Sequence, residues 1–443
     1  MPGVPSGRGC DACRKQKKKC DQTQPSCARC RRLKIPCVGS GVQRYKFIQD
    51  HSSRSAVTGP TATNRKACES QGSAGEEGTL ARMPTSQTAA VAGAFISVLE
   101  VKDARYDLGV YGEFLKGIPR RLGTSAALDA AVRAVATSYS SIYSRGTSVE
   151  AFESYGRGLR ALRVSLNDPR EASSANTICA FYLMMICQTW MAQRGENPDH
   201  GEVLIYLLNA AAAQEWTGSF ETELLVTLCV PLIMESLRNP KIQWTARLEK
   251  LTEARDNAMG IQSLKFSVMA QIPEYLRHPE RHLPAIQSTY QQMKIDLSNM
   301  RYTLDHLGRA AHTKTLHSRF QAIYSMVLAF ANVLNSLLRA TSYDHTVLLP
   351  ESVVFVEDTT ALATDALQYR PLGSSSMPLV LTTAWVATKD KFRRGRIENL
   401  LEEYQSDFAI MNWLDVAFWL EARLSNLQLL FAGLGGSPLR SFN

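Results

Sequence analysis

Long apolar runs are missing from this chain. The two longest, Ile178–Cys187 and Leu224–Met234, are about ten residues, and the second is interrupted by Thr227 and Pro231. Roughly 18–20 apolar residues are needed to cross a bilayer, so no membrane association is expected. No apolar h-region stands at the N-terminus, so it does not read as a signal peptide. Catalytic signatures are missing too: there is no G-x-x-x-x-G-K-[ST], no H-E-x-x-H and no G-x-S-x-G. Period-two alternation is scarce, which argues against sheet. Excess charge is missing from nine-tenths of the sequence: beyond residue 50, 393 residues carry 38 bases and 38 acids. These absences point away from channels, secreted proteins and the commoner hydrolases and NTPases. The expectation is a soluble intracellular chain that is not an enzyme.

What is present is concentrated at one end. The chain has 443 residues, 45% hydrophobic and 21% charged, enough for two or three domains with an ordinary core. Residues 1–50 hold 12 bases against Asp11, Asp21 and Asp50, so they account for the whole net charge of +9. A polyanion is the natural partner of such a segment. Six of the ten cysteines, Cys10, Cys13, Cys20, Cys27, Cys30 and Cys37, fall within 28 residues. In an intracellular chain, clustered thiols mean metal more often than disulfide.

The cysteine block is an internal repeat. CDACRKQKKKC (10–20) and CARCRRLKIPC (27–37) share the pattern C-x2-C-x6-C and are joined by six residues, DQTQPS. Each C-x2-C pair can chelate one ion across a tight turn. The third thiolate can return if the intervening segment is a short helix. Two tetrahedral zinc ions need eight ligand positions, and six thiolates supply them if two thiolates each serve both metals. The symmetry of the repeat makes Cys10 and Cys27 the natural bridges. A disulfide knot and a metallothionein-like store are the competing readings. The intracellular context opposes the first, and the two-fold spacing with dense bases opposes the second.

This spacing resembles the fungal zinc binuclear cluster transcription factors, which hold two zinc ions on six cysteines. Arg14, Lys17 and Lys19 in the first loop, Asp21 after the third cysteine and Pro25 before the fourth also fit that family. Gln16 departs from it, standing where the family often has a base. The resemblance covers residues 8–38. It implies two Zn(2+) per chain, double-stranded DNA and the transcription machinery as partners, a nuclear location, and control of RNA polymerase II genes. Genes for such proteins often lie beside the metabolic or secondary-metabolite pathways they control.

A short helix closed by zinc would present Lys15, Lys17, Lys18 and Lys19 at its exposed end, suited to a major groove. In the resembled family the residue three before the third cysteine reads a CGG triplet. Here that is Lys17, whose ammonium can donate to guanine O6 and N7; Lys18 is assigned to base reading with it. Arg14, Lys15 and Lys19 would hold phosphates. The second half has Leu33, Ile35 and Pro36 where the first has bases, so Arg29, Arg31, Arg32 and Lys34 suit phosphate clamping. Binding should weaken with salt, with a log–log slope of about −0.9 per phosphate neutralised. The bland reading of these bases is a solvated face or a nuclear localisation signal, and both uses can share the same lysines.

Residues 1–9 read as a flexible arm, 10–37 as the cluster domain, 38–91 as a partly disordered linker rich in Ser, Thr, Gly and Ala, and 92–443 as an all-helical regulatory domain. Helical spacing recurs in 125–143, 150–166, 174–193, 201–215, 221–238, 286–308, 313–340, 352–369 and 397–432. Ser125 is placed to cap the first of these. GEFLKGIPRRLGTSAALDAAVRAVA (112–136) and LRNPKIQW (237–244) resemble, more weakly, the helical domain that follows the cluster in that family.

No sustained heptad follows Cys37, so a homodimer, if formed, needs another surface. Met293, Leu297, Met300, Leu304, Leu307 and Ala311 step 4-3-4-3-4, though packing inside the helical domain is the favoured use. The mixed acidic and bulky stretch 397–422 has the composition of an activation segment and equally the spacing of a core helix, which is favoured. His278 and His282 read as surface or capping residues. The leading expectation is a DNA-binding transcription regulator that acts as an activator; the alternative is a non-DNA-binding cofactor that uses the cluster to dock a protein.

Overall fold

Every regular element among the described residues is helical. The computed structural model describes residues 10–16, 18–23, 25–37, 86–144, 146, 148–191, 200–214, 216–307, 314–341, 346–408 and 411–435. The expected arm at 1–9 and nearly all of the expected linker at 38–91 lie outside them. The chain divides into two units, residues 1–80 and 81–443.

The smaller unit has two one-turn helices, α1 (Asp11–Lys15) and α2 (Ala28–Arg32). Its interior is sulfur: Cys10, Cys13, Cys20, Cys27 and Cys30 are buried, with Ala12, Ile35 and Cys37 packed against them. These described residues offer too little apolar surface to be held folded by burial alone.

The larger unit opens with α3 (Gln87–Leu99), whose N-cap Ser86 accepts the Ala89 N–H at 3.1 Å. The helix therefore begins ahead of residue 92, where the apolar texture first shows. Two 3₁₀ segments follow, Leu108–Tyr111 and Glu113–Arg121. Then come α4 (Ala126–Ser144), α5 (Val149–Asn167), α6 (Pro169–Ala172) and α7 (Ala175–Met191). α4 packs between α5 and α7. Gly123, with φ of +86°, turns the chain into α4. Ser125 Oγ accepts the Leu128 N–H at 3.4 Å, and the Gly123 N–H reaches Asp129 Oδ1 at 2.9 Å. Ser125 thus caps α4 as its spacing indicates.

The next elements are α8 (Gly201–Ala212), α9 (Ser219–Arg238), α10 (Ala246–Ala258), α11 (Phe266–Met269) and α12 (Ile272–Arg277). The last six long or medium helices are α13 (Pro279–His306), α14 (Lys314–Thr341), α15 (Leu348–Ala366), α16 (Met377–Ala387), α17 (Lys391–Gln405) and α18 (Trp413–Gly435). The stripe read as one helix over 397–432 is two, broken between Gln405 and Trp413. Phe408 and Met411 carry the apolar rhythm across the break, which hides it in the sequence.

α14 is the central post, packed by α13, α15, α16 and α18. An 18-residue window of it has mean hydropathy 1.4, enough by length and composition to cross a membrane, yet 83% of that window is buried inside the protein. One face of α14 is polar and largely hydrogen-bonded, with Gln321 Oε1 and Asn332 Oδ1 left without a partner among the described residues. Ser318 Oγ donates to Gly373 O at 2.8 Å, and Gln321 donates to Asp365 at 2.7 Å. Asn335 donates to Tyr290 Oη and Leu348 O, and Arg339 donates to Ala387 O at 2.7 Å, closing the end of α16. These bonds fix the register of α15 and α16 on α14, since a slip would strand buried donors. At Gly373 an added Cβ would lie 2.4 Å from Ala104 O, so no larger residue fits there.

The weaker resemblance motifs prove to be packing devices. Phe114, Leu115 and Ile118 are buried. The Arg121 guanidinium lies 4.3 Å from the Phe220 ring centre and 2.9 Å from Glu221, and donates to Asn176 Oδ1. Ile242 is buried, and Trp244 stacks on Phe266.

Candidate metal centre and nucleic-acid interface

Each repeat starts its helix immediately after its first cysteine. Cys10 precedes α1 and Cys27 precedes α2, so the second cysteine of each pair, three residues on, sits on the same side of the first turn. The helix was expected between the second and third cysteines. It instead spans the first pair and ends at Lys15 or Arg32, because the chain must then turn back to bring the third sulfur home. Equivalent bonds make that turn in both halves: Lys18 N–H to Cys13 O at 2.9 Å, and Ile35 N–H to Cys30 O at 3.1 Å. In the second half Lys34 N–H also bonds Arg31 O, with Lys34 at φ +50°. This is the Schellman closure of a helix end, with lysine in the left-handed region that glycine favours.

The third cysteines return symmetrically. Cys20 Sγ accepts the Cys10 N–H at 3.5 Å, and Cys37 Sγ accepts the Cys27 N–H at 3.3 Å. Burial works against the Cys20 thiolate, but the N–H groups of Cys10 and Gln22 outweigh it and bring the thiol to about 7. The Cys27 N–H likewise lowers Cys37. Burial, reinforced by the neighbouring sulfurs, pushes Cys13 up to about 12 and raises Cys30.

The six sulfurs form two groups of four, Cys10–Cys13–Cys20–Cys27 and Cys10–Cys27–Cys30–Cys37, each with all sulfurs within 4.8 Å of one another. Both groups contain Cys10 and Cys27. The Sγ atoms of Cys10 and Cys27 are 3.8 Å apart, Cys13 and Cys27 also 3.8 Å, and Cys10 and Cys30 3.5 Å. All six are free of disulfides. A Zn–S bond of about 2.3 Å in a tetrahedron places sulfurs about 3.8 Å apart, so the donor set fits two zinc ions sharing two thiolates. When bound, zinc supplies the cross-link that closes this unit and draws the thiols into the thiolate form.

The bases sit around this core. Lys15, Lys18, Lys19, Arg31, Arg32 and Lys34 are exposed, and Arg29 is half-buried. Lys15, Lys18, Lys19, Arg32 and Lys34 make no salt bridge among the described residues. Lys17 and the Arg14 side chain lie outside the described residues. Lys18 and Lys19 follow α1 outside any helix rather than riding on it.

Two contacts escaped the sequence. Arg29 Nη2 donates to Gln16 Oε1 at 2.6 Å, joining the two repeats. The departure at position 16 therefore supplies an acceptor inside the unit. Asp21 receives the Ala28 N–H on both carboxylate oxygens at 3.1 Å and also the Thr23 hydroxyl. The Thr23 hydroxyl, then the Ala28 N–H, hold Asp21 below the usual carboxylate range. Asp21 thus caps α2 from the joining loop. The spacing D-x6-A names no such cap, because the acceptor lies seven residues from the donor.

Elsewhere, Cys179, Cys187 and Cys229 are buried with their thiols raised by desolvation, Cys187 to about 12. They are inert core residues, as are Met184 and Trp190. His278 precedes α13 with Glu280 at 3.5 Å, and His282 stands 4.0 Å from Glu274. Met293, Leu297 and Met300 are buried and Leu304 packs on the core; Ala311 lies outside the described residues. Ile397, Leu401 and Tyr404 of the acidic stretch are buried, with Tyr404 Oη donating to Ala363 O.

Residues 8–46 match the family model of the fungal Zn(2)-Cys(6) binuclear cluster domain. No curated protein matches the chain, and no solved structure matches it.

Proposed function

From a chain that carries the fungal Zn(2)-Cys(6) binuclear cluster domain, we propose a nuclear, sequence-specific DNA-binding regulator of RNA polymerase II genes. The observation that carries this reading is the pair of four-sulfur groups sharing Cys10 and Cys27, with Lys15, Lys18, Lys19, Arg32 and Lys34 exposed and making no salt bridge among the described residues. Six cysteines hold two zinc ions, and the closed unit offers its bases to a duplex.

Lys17 and Lys18 are assigned to base edges of a CGG-type triplet in the major groove. Arg14, Lys15, Lys19, Arg31, Arg32 and Lys34 are assigned to phosphates, which position the unit without reading sequence. Arg29 keeps donors to spare beyond its bond to Gln16 and joins that set. The regulated genes are those of one metabolic or secondary-metabolite pathway, activated through contact with the transcription machinery. A homodimer would read two triplets at fixed spacing.

The test is selection from random duplex DNA by the full-length zinc-loaded chain, with and without chelator. CGG enrichment lost on chelation is expected. One triplet marks a monomer and two at constant spacing a dimer. No enrichment from a chain holding two zinc ions sinks the DNA-reading assignment and leaves the protein-docking module.

A further inference from the structure

The helical unit contains an apolar cleft of about 160 Å³ walled by α9, α12, α14, α16 and α18. Ile272 and Phe330 form its buried side, Leu379 and Val416 are half-buried, and Trp413 and Trp419 stand along α18. The two hydroxyls in its wall are already spent, Thr382 Oγ1 on Pro378 O at 2.7 Å and Thr383 Oγ1 on Val380 O at 2.8 Å. Its two charged members, Glu235 and Arg238, are of opposite sign. The walls are held in place: Arg423 of α18 donates to Leu276 O and Arg277 O at the end of α12, each at 3.0 Å through Nη2.

Protein interiors close-pack, with few voids larger than a water molecule. An apolar cavity of about 150 Å³ lined by aliphatic and aromatic side chains stays dry and takes up benzene. The cleft here has that volume, a wall with no free hydroxyl, two indoles and a phenyl ring. We propose that it is a binding site for a small neutral aromatic molecule of one or two rings. Ionic ligands are not selected, because the charged lining residues offset each other. Ligands that need a donor find none in these hydroxyls, whose protons are already given to carbonyls of their own helix. The site is preformed, since its walls come from five packed helices rather than one loop.

Titrating the full-length zinc-loaded chain with 5-fluoroindole, followed by ¹⁹F NMR and by thermal melting, tests this. One saturable site per chain and a raised melting temperature are expected. Ala329→Leu fills the cleft from α14 and should weaken binding roughly tenfold or more. If that variant does not fold, Val416→Trp fills the cleft from its half-exposed side and is read instead. Absence of saturable binding overturns the proposal. So does unchanged affinity in a folded, filled variant, which would place the probe elsewhere. Binding of 5-fluoroindole-3-acetate more than about tenfold tighter than the neutral probe overturns the neutral class of ligand.

Discussion

The two units solve the same problem by different means. The helical unit buries a continuous cluster of aliphatic and aromatic side chains from Phe95 to Leu427. Among its described residues the cluster unit buries five cysteines, with Ala12, Ile35 and Cys37 packed against them. In the first, burial of apolar area opposes chain entropy, and no single residue is indispensable. In the second, metal–sulfur bonds replace the apolar core, so stability depends on metal supply and on six atoms. Charge divides the same way. Among the described residues Lys15, Lys18, Lys19, Arg32 and Lys34 at the cluster make no salt bridge, while in the helical unit Arg121, Arg319, Arg370 and Arg394 all meet carboxylates.

The largest effect expected from this contrast comes from removing zinc. Structural zinc in small domains contributes on the order of 10 kcal/mol to folding. Chelation of the full-length chain should unfold residues 10–37 and abolish DNA binding. The main helical melting transition, followed by circular dichroism, should not move. A shift of that transition on chelation would break the comparison.

The converse change is Leu337→Ala on α14, a side chain with no exposed surface. It should cost about 2–5 kcal/mol of helical-unit stability and lower the main melting temperature. Zinc content, measured by metal analysis, should stay at two per chain.

Next in size is the double change Lys17→Ala, Lys18→Ala. Losing these base contacts should weaken binding to the selected site by about 1–3 kcal/mol, with zinc retained. Arg32→Ala should weaken all sequences alike and reduce the log–log salt slope by about 0.9. If both variants lose affinity uniformly, the division between reading and clamping fails.

The smallest effect concerns Glu421 of α18. Burial disfavours its charge, but Lys389 and Arg394 outweigh that and hold it below the usual carboxylate range. Arg394 lies at 2.6 Å. A lowered folded value means stabilisation that is present above the unfolded pKa of about 4.3 and fades as pH falls through the folded value. Glu421→Gln should therefore cost about 1 kcal/mol at pH 7 and nothing in strong acid, as denaturant melts at the two pH values would show.

Legibility in the sequence follows the same division. The cluster was readable because metal coordination demands fixed residue types at fixed intervals, and the 17-residue offset between Cys10 and Cys27 repeats through Cys13 and Cys30, Cys20 and Cys37. What the spacing did not reveal was backbone path. Helix placement over the first cysteine pair depends on N–H bonds to sulfur and on a Schellman turn, neither of which has a side-chain signature here. In the helical unit, amphipathic helices such as α4 announced themselves, whereas α16 did not. Val380, Leu381, Ala384, Trp385 and Val386 are all buried, and a helix covered on every side shows no period. α10 failed for the opposite reason, burying only Leu248, Thr252 and Asp256. Asp256 there accepts the Phe266 and Ser267 N–H groups and starts α11, a long-range cap that no local pattern encodes.

Four of the six sulfurs belong to one group each, and Cys10 and Cys27 belong to both. The two metal positions are therefore not two independent receptacles. A chain that has filled one has already committed half of the donors it needs for the other, so loading should run from empty to full with little singly occupied form between. The same overlap concentrates vulnerability. Oxidation or alkylation at Cys13, Cys20, Cys30 or Cys37 removes one donor from one position, but at Cys10 or Cys27 it removes one from each. A reagent that modifies one thiol per chain would thus divide the population into two classes of damage, sorted by which sulfur it met.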